Sequence, residues 1–309
     1  MPPVILALNA MATRFELALH GENPARLRAA GEAALAEVGR LEAQLSLYRP
    51  ASEIARVNAR AAREPVRVSP PVFRLLQHAR QLHDQTGGAF DIAIAPLVRC
   101  WGFMHGAGRL PEPGELEEAR RCAGMTHVML DDQNFCVRFD REGVMIDLGA
   151  IGKGHAIDCA AEILREAGVA SALLHGGTST VYGLGRPPDA DGWKIAIASG
   201  PDESPSRRAV LLRDNALSVS AVWGKFFEAD GRKFGHVIDP RAGRPVNNAV
   251  MAAVVLPSAT ETDALSTALL VAGLDGHDAI AGLRPGMRAL VVAPAEQGFR
   301  AKATGIAIA

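Results

Sequence analysis

The chain has 309 residues, of which 48% are hydrophobic, and a formal net charge of -1 from 33 basic and 34 acidic residues. Such a balance gives no overall field that would attract nucleic acid or an anionic membrane, so neither partner is expected and any anion must be bound locally. No run approaches the roughly 18 apolar residues of a membrane span, and four cysteines without a C-x-x-C pair argue against structural zinc or a redox dithiol.

The first half of the chain predicts one strand, three helices and a hairpin. Alternation predicts a strand at residues 13–19, and apolar residues at helical spacing after Asn23-Pro24 predict a long amphipathic helix that is ended by Tyr48-Arg49-Pro50. The remaining predictions are a helix over 71–85, an exposed Gly- and Pro-rich loop over 105–114, a short acidic helix over 115–121 and a hairpin between Met129 and Phe135.

The second half mixes strands and helices without a steady βαβ rhythm. We expect helices at 153–167 and 259–272, and strands at 144–148, 171–174, 193–198, 210–213, 226–236, 249–256 and 289–292. This order favours an α+β architecture with a largely antiparallel sheet core flanked by helices. No segment of the sequence has the composition of a linker between two autonomous domains. Residues 1–309 are therefore expected to form a single domain, either undivided or as two intimate subdomains.

Residues 146–158, with the sequence IDLGAIGKGHAID, place glycines and Lys153 where the strand gives way to a helix. A mononucleotide-binding loop needs a longer spacing and a Ser or Thr after its Gly-Lys, and no G-x-G-x-x-G fingerprint occurs between a strand and a helix. Gly149, Gly152 and Gly154 would still let the main chain approach a ligand, and free N–H groups at a helix start favour an anion. The alternative is a turn that needs glycine for its conformation alone.

Asp263 and Thr267 lie four residues apart on a predicted helix, and therefore on one face of it. Both offer oxygen ligands to a hard cation, and Mg2+ takes only one or two protein oxygens when water and substrate phosphate complete its shell. The alternative is helix capping, because Ser258 with Glu261 and Thr260 with Asp263 both have the capping-box spacing.

Two histidine-bearing segments are further candidates. His236 and Asp239 precede the turn at Pro240, where an imidazole and a carboxylate could transfer a proton, although a lone histidine is more often structural. The segment HGGT at 175–178 ends a buried strand and could bring backbone N–H groups to an anion, or could equally be a tight turn.

In their order along the chain, these segments resemble the ApbE family of FAD:protein FMN transferases. The blocks that carry the resemblance are MATRFE at 11–16, SLYR at 46–49, SEI at 52–54, GAFD at 88–91, WGF at 101–103, DLGAIGKGHAID at 147–158, GG at 176–177, HVIDPR at 236–241 and DALSTA at 263–268. The block at 147–158 matches the family pattern Asp-Leu-Gly-x-Ile-x-Lys-Gly-x-x-x-Asp, and the resemblance also implies an ApbE-like fold.

The resemblance implies an activity. Members of this family bind FAD with Mg2+, split its pyrophosphate, attach the FMN half through a phosphoester to a Ser or Thr hydroxyl of a client protein, and release AMP. By the same resemblance, the residues expected to bind FAD are Met11, Tyr48, Ala89, Phe90, Asp91, Lys153, Asp158, Gly176 and Gly177. The backbone carbonyl of Ala150, with Asp263 and Thr267, is expected to hold the metal, and our hypothesis assigns proton transfer to His236, steadied by Asp239.

This sequence departs from the family pattern at two places. Thr178 stands where many members have Asp, and Val219-Ser220-Ala221 stands where the family often has Thr-Ser-Gly. Two alternatives to the transferase therefore stay open: an FAD pyrophosphatase that yields FMN and AMP, and a non-catalytic FAD-binding protein that handles flavin.

The resemblance also bears on the client and the location. Clients typically carry the motif Asp-Gly-x-Ser/Thr-Gly/Ala-Ala-Thr, which is absent from this sequence, so self-flavinylation is not expected. The apolar run at residues 4–8 is about half a signal h-region and has no basic n-region before it. We expect a cytoplasmic protein as the sequence is written, or a periplasmic one if a leader peptide has been removed.

Overall fold

A computed structural model describes residues 2–104, 106–197, 208–296 and 298–307 of the chain. Its helices are α1 Pro24–Leu45, α2 Glu53–Arg60, α3 Pro70–Gln85, α4 Ala95–Cys100, α5 Pro113–Arg121, α6 Gly152–Glu166 and α7 Ala259–Ala281, with single 3-10 turns at Ile92–Ile94 and Met125–His127. Within these ranges, no helix combines the length and the apolarity that crossing a membrane requires.

An eight-stranded sheet forms the centre of the fold, and every neighbouring pair in it is antiparallel. Its strands, in spatial order, are β1 Val4–Ala10, β2 Thr13–His20, β6 Ser171–Gly176, β7 Thr180–Leu184, β10 Asn215–Ala221, β15 Met251–Leu256, β16 Arg288–Pro294 and β17 Phe299–Thr304. The α+β class with a largely antiparallel sheet is confirmed.

Smaller sheets surround this centre. One joins β3 Val66–Arg67, β5 Cys136–Phe139 and β4 Val128–Asp131, and the three two-stranded pairs are β8 Trp193–Ala196 with β9 Ala209–Leu212, β11 Phe226–Ala229 with β12 Arg232–Gly235, and β13 Ile238–Asp239 with β14 Arg244–Pro245. The β11–β12 hairpin lies directly before the HVIDPR segment, and this connection will matter for the site.

The two faces of the large sheet are covered differently. Helices α1, α6 and α7 pack on one face and on each other, and their apolar stripes complete the main core. The β8–β9 pair contacts β7 and β10 on the other face, where Trp193, Leu212 and Leu217 belong to a second core. Because both faces are covered, β15 is buried at all of its positions and reads as a continuous apolar run.

Several predicted elements are confirmed, one strand was not predicted, and one strand prediction is wrong. The long first helix and the helices at α3, α5 and α6 lie where periodicity placed them, whereas the last helix runs beyond Ala272 through a kink at Gly273, whose φ is 66°. The apolar run at 4–8 belongs to edge strand β1, paired with β2. The strand predicted at 144–148 does not form: these residues pair with no strand, and the Asn58 side chain instead bonds both the N–H and the carbonyl of Ile146.

Two further strand predictions change in detail. Residues 226–236 are not one strand but the β11–β12 hairpin, which turns at Asp230 and Gly231, both with positive φ. The strand predicted at 193–198 is β8, ending at Ala196; residue 198 lies outside the described ranges, as does residue 105 of the predicted 105–114 loop.

Candidate functional site

A cavity of about 610 Å³ opens where the start of α6 and the N-terminal half of α7 meet the end of β10 and the residues that flank the β11–β12 hairpin. Most of the residues singled out from sequence line it. They are Tyr48, Ala89, Phe90, Asp91, Ala150, Lys153, His236, Asp263 and Thr267. Residues more than 200 positions apart in the chain, such as Tyr48 and Thr267, therefore line the same cavity.

A second cavity of about 310 Å³ adjoins the first and shares with it Tyr48, Asp147, Gly149 and Lys153. Met11 lines this smaller cavity, where its backbone N–H donates to Glu42 at 2.8 Å. Apolar side chains of α1 and the loop after it also line this cavity, and the Tyr48 ring is 56% exposed between the two cavities. An elongated ligand with an apolar ring at one end fits this pair of connected spaces.

The glycine-rich motif brings main chain to the cavity wall. Helix α6 begins at Gly152 without a side-chain cap of its own, and the N–H of Gly154 donates to Oδ2 of Asp263 at 3.0 Å. A Cβ on Gly154 would lie 2.1 Å from the carbonyl oxygen of Ala259, so glycine is required for α6 and α7 to approach this closely. The alternative of glycine for turn conformation alone does not explain this contact.

Charged groups converge beside that contact. The Lys153 ammonium lies 3.6 Å from Oδ1 of Asp263 and donates to the carbonyl of Gly149 at 2.9 Å. Asp147 accepts from the N–H of Gly149 at 2.8 Å, and burial raises the pKa of its carboxyl. Asp147 lines both cavities and was not among the candidate site residues, although its position as the first residue of the DLG block was the available signal.

Asp263 lies in α7 but does not cap it. The cap of α7 is Ser258, whose hydroxyl accepts from the N–H of Glu261 at 3.2 Å, while the Asp263 carboxylate instead faces α6 and the cavity. One turn later, the Thr267 hydroxyl donates to the carbonyl of Asp263 at 3.3 Å and lies 3.1 Å from the Ser220 hydroxyl. The capping alternative therefore applies to Ser258 and not to Asp263.

The oxygen donors at this wall fit a hard cation that shares its shell with a phosphate ligand. Asp263, Thr267 and Ala150 all line the cavity and can offer a carboxylate, a hydroxyl and a main-chain carbonyl. The Lys153 ammonium lies 3.6 Å from Oδ1 of Asp263. No group of three or more His, Cys, Asp or Glu residues that could hold a metal occurs in the part of the chain that the structure describes. An all-protein cage is not needed, because Mg2+ is often held by one carboxylate together with substrate phosphates.

His236 projects into the cavity from the segment after the hairpin. Its Nδ1 lies 3.1 Å from the carbonyl oxygen of Lys225, which can only accept, so Nδ1 carries the proton and Nε2 keeps its lone pair. Burial lowers the pKa of His236 and so favours the neutral ring. A neutral imidazole with an unprotonated nitrogen can take a proton from an acceptor hydroxyl.

Asp239 does not steady His236 in this structure. Its carboxylate accepts from the backbone N–H of Arg241 at 2.9 Å and from the Arg241 guanidinium at 2.9 and 3.0 Å, which closes a local turn at Pro240. The partner that orients the imidazole is the Lys225 carbonyl. This contact was not predictable from the sequence, because Lys225 precedes the β11–β12 hairpin and His236 follows it, and only the folded hairpin brings the two together.

Asp158, Gly176 and Gly177 line neither cavity. The Asp158 carboxylate accepts four hydrogen bonds, from Ser258, Ala259 and Thr260, at 2.6–2.9 Å, and so anchors the start of α7. Gly176 ends β6, and Gly177 is in the left-handed region, with a φ of 69°.

The residues that follow this turn do reach the cavity. Thr178 and Ser179 line it, as do Val219, Ser220 and Ala221, so both departures from the family pattern lie in the wall of the site. Because Thr178 carries no carboxylate, the carboxylates that line this cavity among the described residues are those of Asp91, Asp147 and Asp263.

The GAFD block forms a fixed corner of the cavity. Asp91 accepts from the N–H groups of Ala93 at 2.7 Å and Met125 at 3.0 Å and pairs with His83 at 3.1 Å. The hydrogen bond to Asp91 raises the pKa of His83. Asp91 thus holds the loop after Phe90 in place.

Comparisons with known proteins point in one direction. The model of the ApbE family matches residues 11–291. The FAD:protein FMN transferase of Vibrio cholerae is 32% identical over 262 residues, which are 83% of this chain and 77% of that protein, and that of Salmonella typhimurium is 29% identical over 83% of this chain and 74% of that protein.

Solved structures agree with the fold. The ApbE protein of Thermotoga maritima superposes with a TM-score of 0.88 at 28% identity, covering 98% of this chain and 97% of that chain. The flavin transferase ApbE of Vibrio cholerae also gives a TM-score of 0.88, at 27% identity and the same coverage. The expected fold is therefore confirmed.

Proposed function

The chain belongs to the ApbE family, and from that premise we propose that it is an FAD:protein FMN transferase that uses Mg2+, joins FMN to a Ser or Thr hydroxyl of a client protein and releases AMP. One observation supports the proposal above the others. A single cavity brings together glycine-lined main chain, the Lys153 ammonium, the Asp263 carboxylate and the neutral imidazole of His236.

The reaction exchanges the phosphoanhydride bond of FAD for a phosphoester bond to the acceptor. The acceptor oxygen attacks the phosphorus on the FMN side of the diphosphate, the bridging P–O bond breaks, and AMP leaves with the bridging oxygen. The hydroxyl proton passes to Nε2 of His236, which is the unprotonated nitrogen of that ring. No oxidation or reduction is involved.

Charge neutralisation is the main requirement of such a transfer. Ala150, Asp263 and Thr267 would hold Mg2+, which neutralises diphosphate charge when bound. Lys153 adds a second positive charge on the first turn of α6, where the helix start also favours an anion. We assign the diphosphate to this wall and the acceptor hydroxyl to the side of His236.

The flavin and adenine ends need apolar surface. Tyr48 and the apolar residues of the smaller cavity, with Met11, offer it at one end, and Phe90 with Ala89 offers it in the larger cavity. The two connected cavities suit a dinucleotide whose charged centre lies at Gly149 and Lys153, which both cavities share.

An AMP release assay tests this function against its alternatives. The full chain is incubated with FAD and Mg2+, with and without a peptide that carries the client motif, and AMP and peptide-bound flavin are followed. The proposal expects AMP and flavinylated peptide in equal amounts, and only with the peptide. AMP release without the peptide would instead indicate a pyrophosphatase, and FAD binding without AMP would indicate a flavin-handling protein.

Asp263→Asn is the matched variant for this assay. The substitution keeps the shape and the acceptor oxygen but removes the charge, so we expect at least a hundredfold loss of transfer. Asp275→Asn, an exposed position on the same helix, should leave the rate unchanged.

A further inference from the structure

The carboxylate of Asp263 accepts hydrogen bonds from two sides, from two residues that do not line either cavity. Gly154 donates to Oδ2 at 3.0 Å from the first turn of α6, and the hydroxyl of Thr180 donates to Oδ1 at 3.4 Å from β7. Asp263 is 4% exposed and Thr180 is 2% exposed. A buried carboxylate with a donor on each oxygen has its side-chain rotamer fixed before any ligand arrives.

Thr180 is itself the end of a chain of buried hydroxyls. Ser218 is its cross-strand partner on β10 and donates to it at 3.1 Å, and the Ser218 hydroxyl lies 2.8 Å from that of Thr262 on α7. Ser218 is 1% exposed and Thr262 is 0% exposed. The chain therefore starts one residue before Asp263, passes through two strands and returns to the Asp263 carboxylate.

The direction of this chain follows from its end. A carboxylate can only accept, so the single hydrogen of Thr180 must point at Asp263, and the lone pairs of Thr180 are left to accept from Ser218. Valine has nearly the shape of threonine and is a better strand residue for an apolar core. A hydroxyl at this buried position is thus used for its hydrogen bond and not for its volume.

We propose that Thr180, supported by Ser218, is a positioning residue that orients the Asp263 carboxylate toward the divalent cation. The inference rests on the proposed function, because it takes Asp263 as a ligand of that cation. Groups that hydrogen-bond a metal ligand from behind fix its orientation and contribute to metal affinity. Gly154 serves the same carboxylate from the helix side, but its backbone N–H is not removable by substitution.

The test compares cation binding among variants of the full chain. Free Mn2+ is measured by electron paramagnetic resonance during titration in the presence of FAD and without acceptor peptide. Thr180→Val removes the hydroxyl and keeps the shape, and we expect the Kd for Mn2+ to rise about tenfold. Thr180→Ser restores the hydroxyl, so its Kd should return to within about twofold of the unmodified chain.

Ser218→Ala removes the donor to Thr180 without touching Asp263, and about a threefold rise in Kd is expected because only the polarisation of the Thr180 hydroxyl is lost. This variant decides the matter where Thr180→Val does not fold, as judged by circular dichroism. An unchanged Kd would then overturn the inference.

Three other outcomes would overturn it as well. They are an unaltered Kd in folded Thr180→Val, equal losses in Thr180→Val and Thr180→Ser, and no Mn2+ binding by the unmodified chain. Failure of the transferase proposal is seen separately, as missing flavin transfer in the peptide assay. A purely structural role of Thr180 would lower the thermal midpoint of Thr180→Val without moving the Kd.

Discussion

The two walls of the cavity are built by different physical means. The helix wall, formed by the starts of α6 and α7 with Thr180 and Ser218 behind them, is joined by buried hydrogen bonds between separate elements. The hairpin wall is formed by the residues that flank β11–β12, from Trp223 to Lys225 and from His236 to Ile238. The hairpin itself contacts the rest of the molecule through aromatic rings: Trp101 lies 5.7 Å from Phe234, and Phe103 lies 5.7 Å from Phe227.

This difference matches the two substrates of the proposed reaction. Diphosphate cleavage needs charges fixed in advance, and buried hydrogen bonds from several elements provide that fixation. A client protein must bring a hydroxyl into the cavity past whatever covers it. A two-stranded hairpin with mostly exposed or half-buried residues can open at lower cost than the helix wall.

His236 lines the cavity on the hairpin wall and is the proposed proton acceptor for the reaction at the helix wall. Its removal should therefore have the largest effect on the rate of transfer. We expect His236→Ala to slow FMN transfer to the peptide by roughly a hundredfold or more through loss of the proton acceptor. The Kd for FAD should stay within about twofold, because the proposed function assigns the diphosphate to the other wall. Single-turnover transfer and an FAD titration measure the two quantities.

The pH profile sharpens this prediction. The pKa of His236 is lowered by burial from its ordinary 6.5, so the neutral base persists to a lower pH than for an exposed histidine. The acidic limb of the transfer rate should therefore have its midpoint below pH 6.5, and His236→Ala should lack this limb. His127→Ala, at a surface pair with Asp140, should keep both rate and profile; weak FAD binding by His236→Ala would contradict the division between the walls.

Asp158 tests the helix wall as a structural unit. Removing its carboxylate leaves the N–H groups of Ala259 and Thr260 and two hydroxyls without their acceptor at the start of α7. We expect Asp158→Ala to lower the free energy of unfolding by about 3 kcal/mol. Urea unfolding measures the change.

Two variants control for this result. Asp158→Asn keeps one acceptor oxygen and should recover part of the loss, and Asp275→Ala, at an exposed position of the same helix, should change stability by about 0.5 kcal/mol or less. A normal stability together with weakened FAD binding in Asp158→Ala would instead support direct contact with the nucleotide.

Glu261, in the first turn of α7, gives the helix wall a pH dependence. Hydrogen bonds from His78 and then Arg284 lower the pKa of Glu261 from 4.5 to about 2. Because the folded pKa lies below the unfolded one, the unfolded chain binds more protons between these values. This contribution is complete above pH 4.5 and is lost as the pH falls toward 2.

We expect Glu261→Gln to lower the free energy of unfolding at neutral pH by about 2 kcal/mol, less than the full shift, since the carboxylate keeps some contact with water. The difference between variant and unmodified chain should shrink as the pH falls through that window, in urea unfolding at several pH values. Glu32→Gln, an exposed pair with Arg28 on α1, is the control. A pH-independent difference would show that the Glu261 contribution is not electrostatic.

An element of the fold could be predicted from the sequence when the interactions that form it lie within the element itself. Helix α1 was predictable because Pro24 and the apolar spacing lie within the helix itself. Strand β1 was missed because five apolar residues in a row hide the alternation that its pairing with β2 creates. The strand predicted at 144–148 was wrong, because the backbone of Ile146 is bonded by the Asn58 side chain, which is distant in the chain, and not by a neighbouring strand.

The site shows the same limit. The DLG and DALST blocks carried Lys153, Asp263 and Thr267 into the list of candidates, and the structure brings all three to one cavity. The role of Asp158 could not be inferred, since its partners lie about 100 positions later at the start of α7. Thr180 and Ser218 gave no signal, because a buried hydroxyl is recognisable only once its partners are known.

Phe227 gives the smallest expected effect and tests whether the hairpin wall is energetically separate. Phe227→Ala removes the ring stacked on Phe234 and close to Phe103, and we expect only about 1 kcal/mol less global stability, with faster amide exchange confined to β11–β12. Phe226→Ala, 44% exposed on the other side of the same strand, should change neither. If Phe227→Ala instead lowered stability as much as Asp158→Ala, the hairpin would unfold together with the core, and a client protein could not gain entry by displacing it alone.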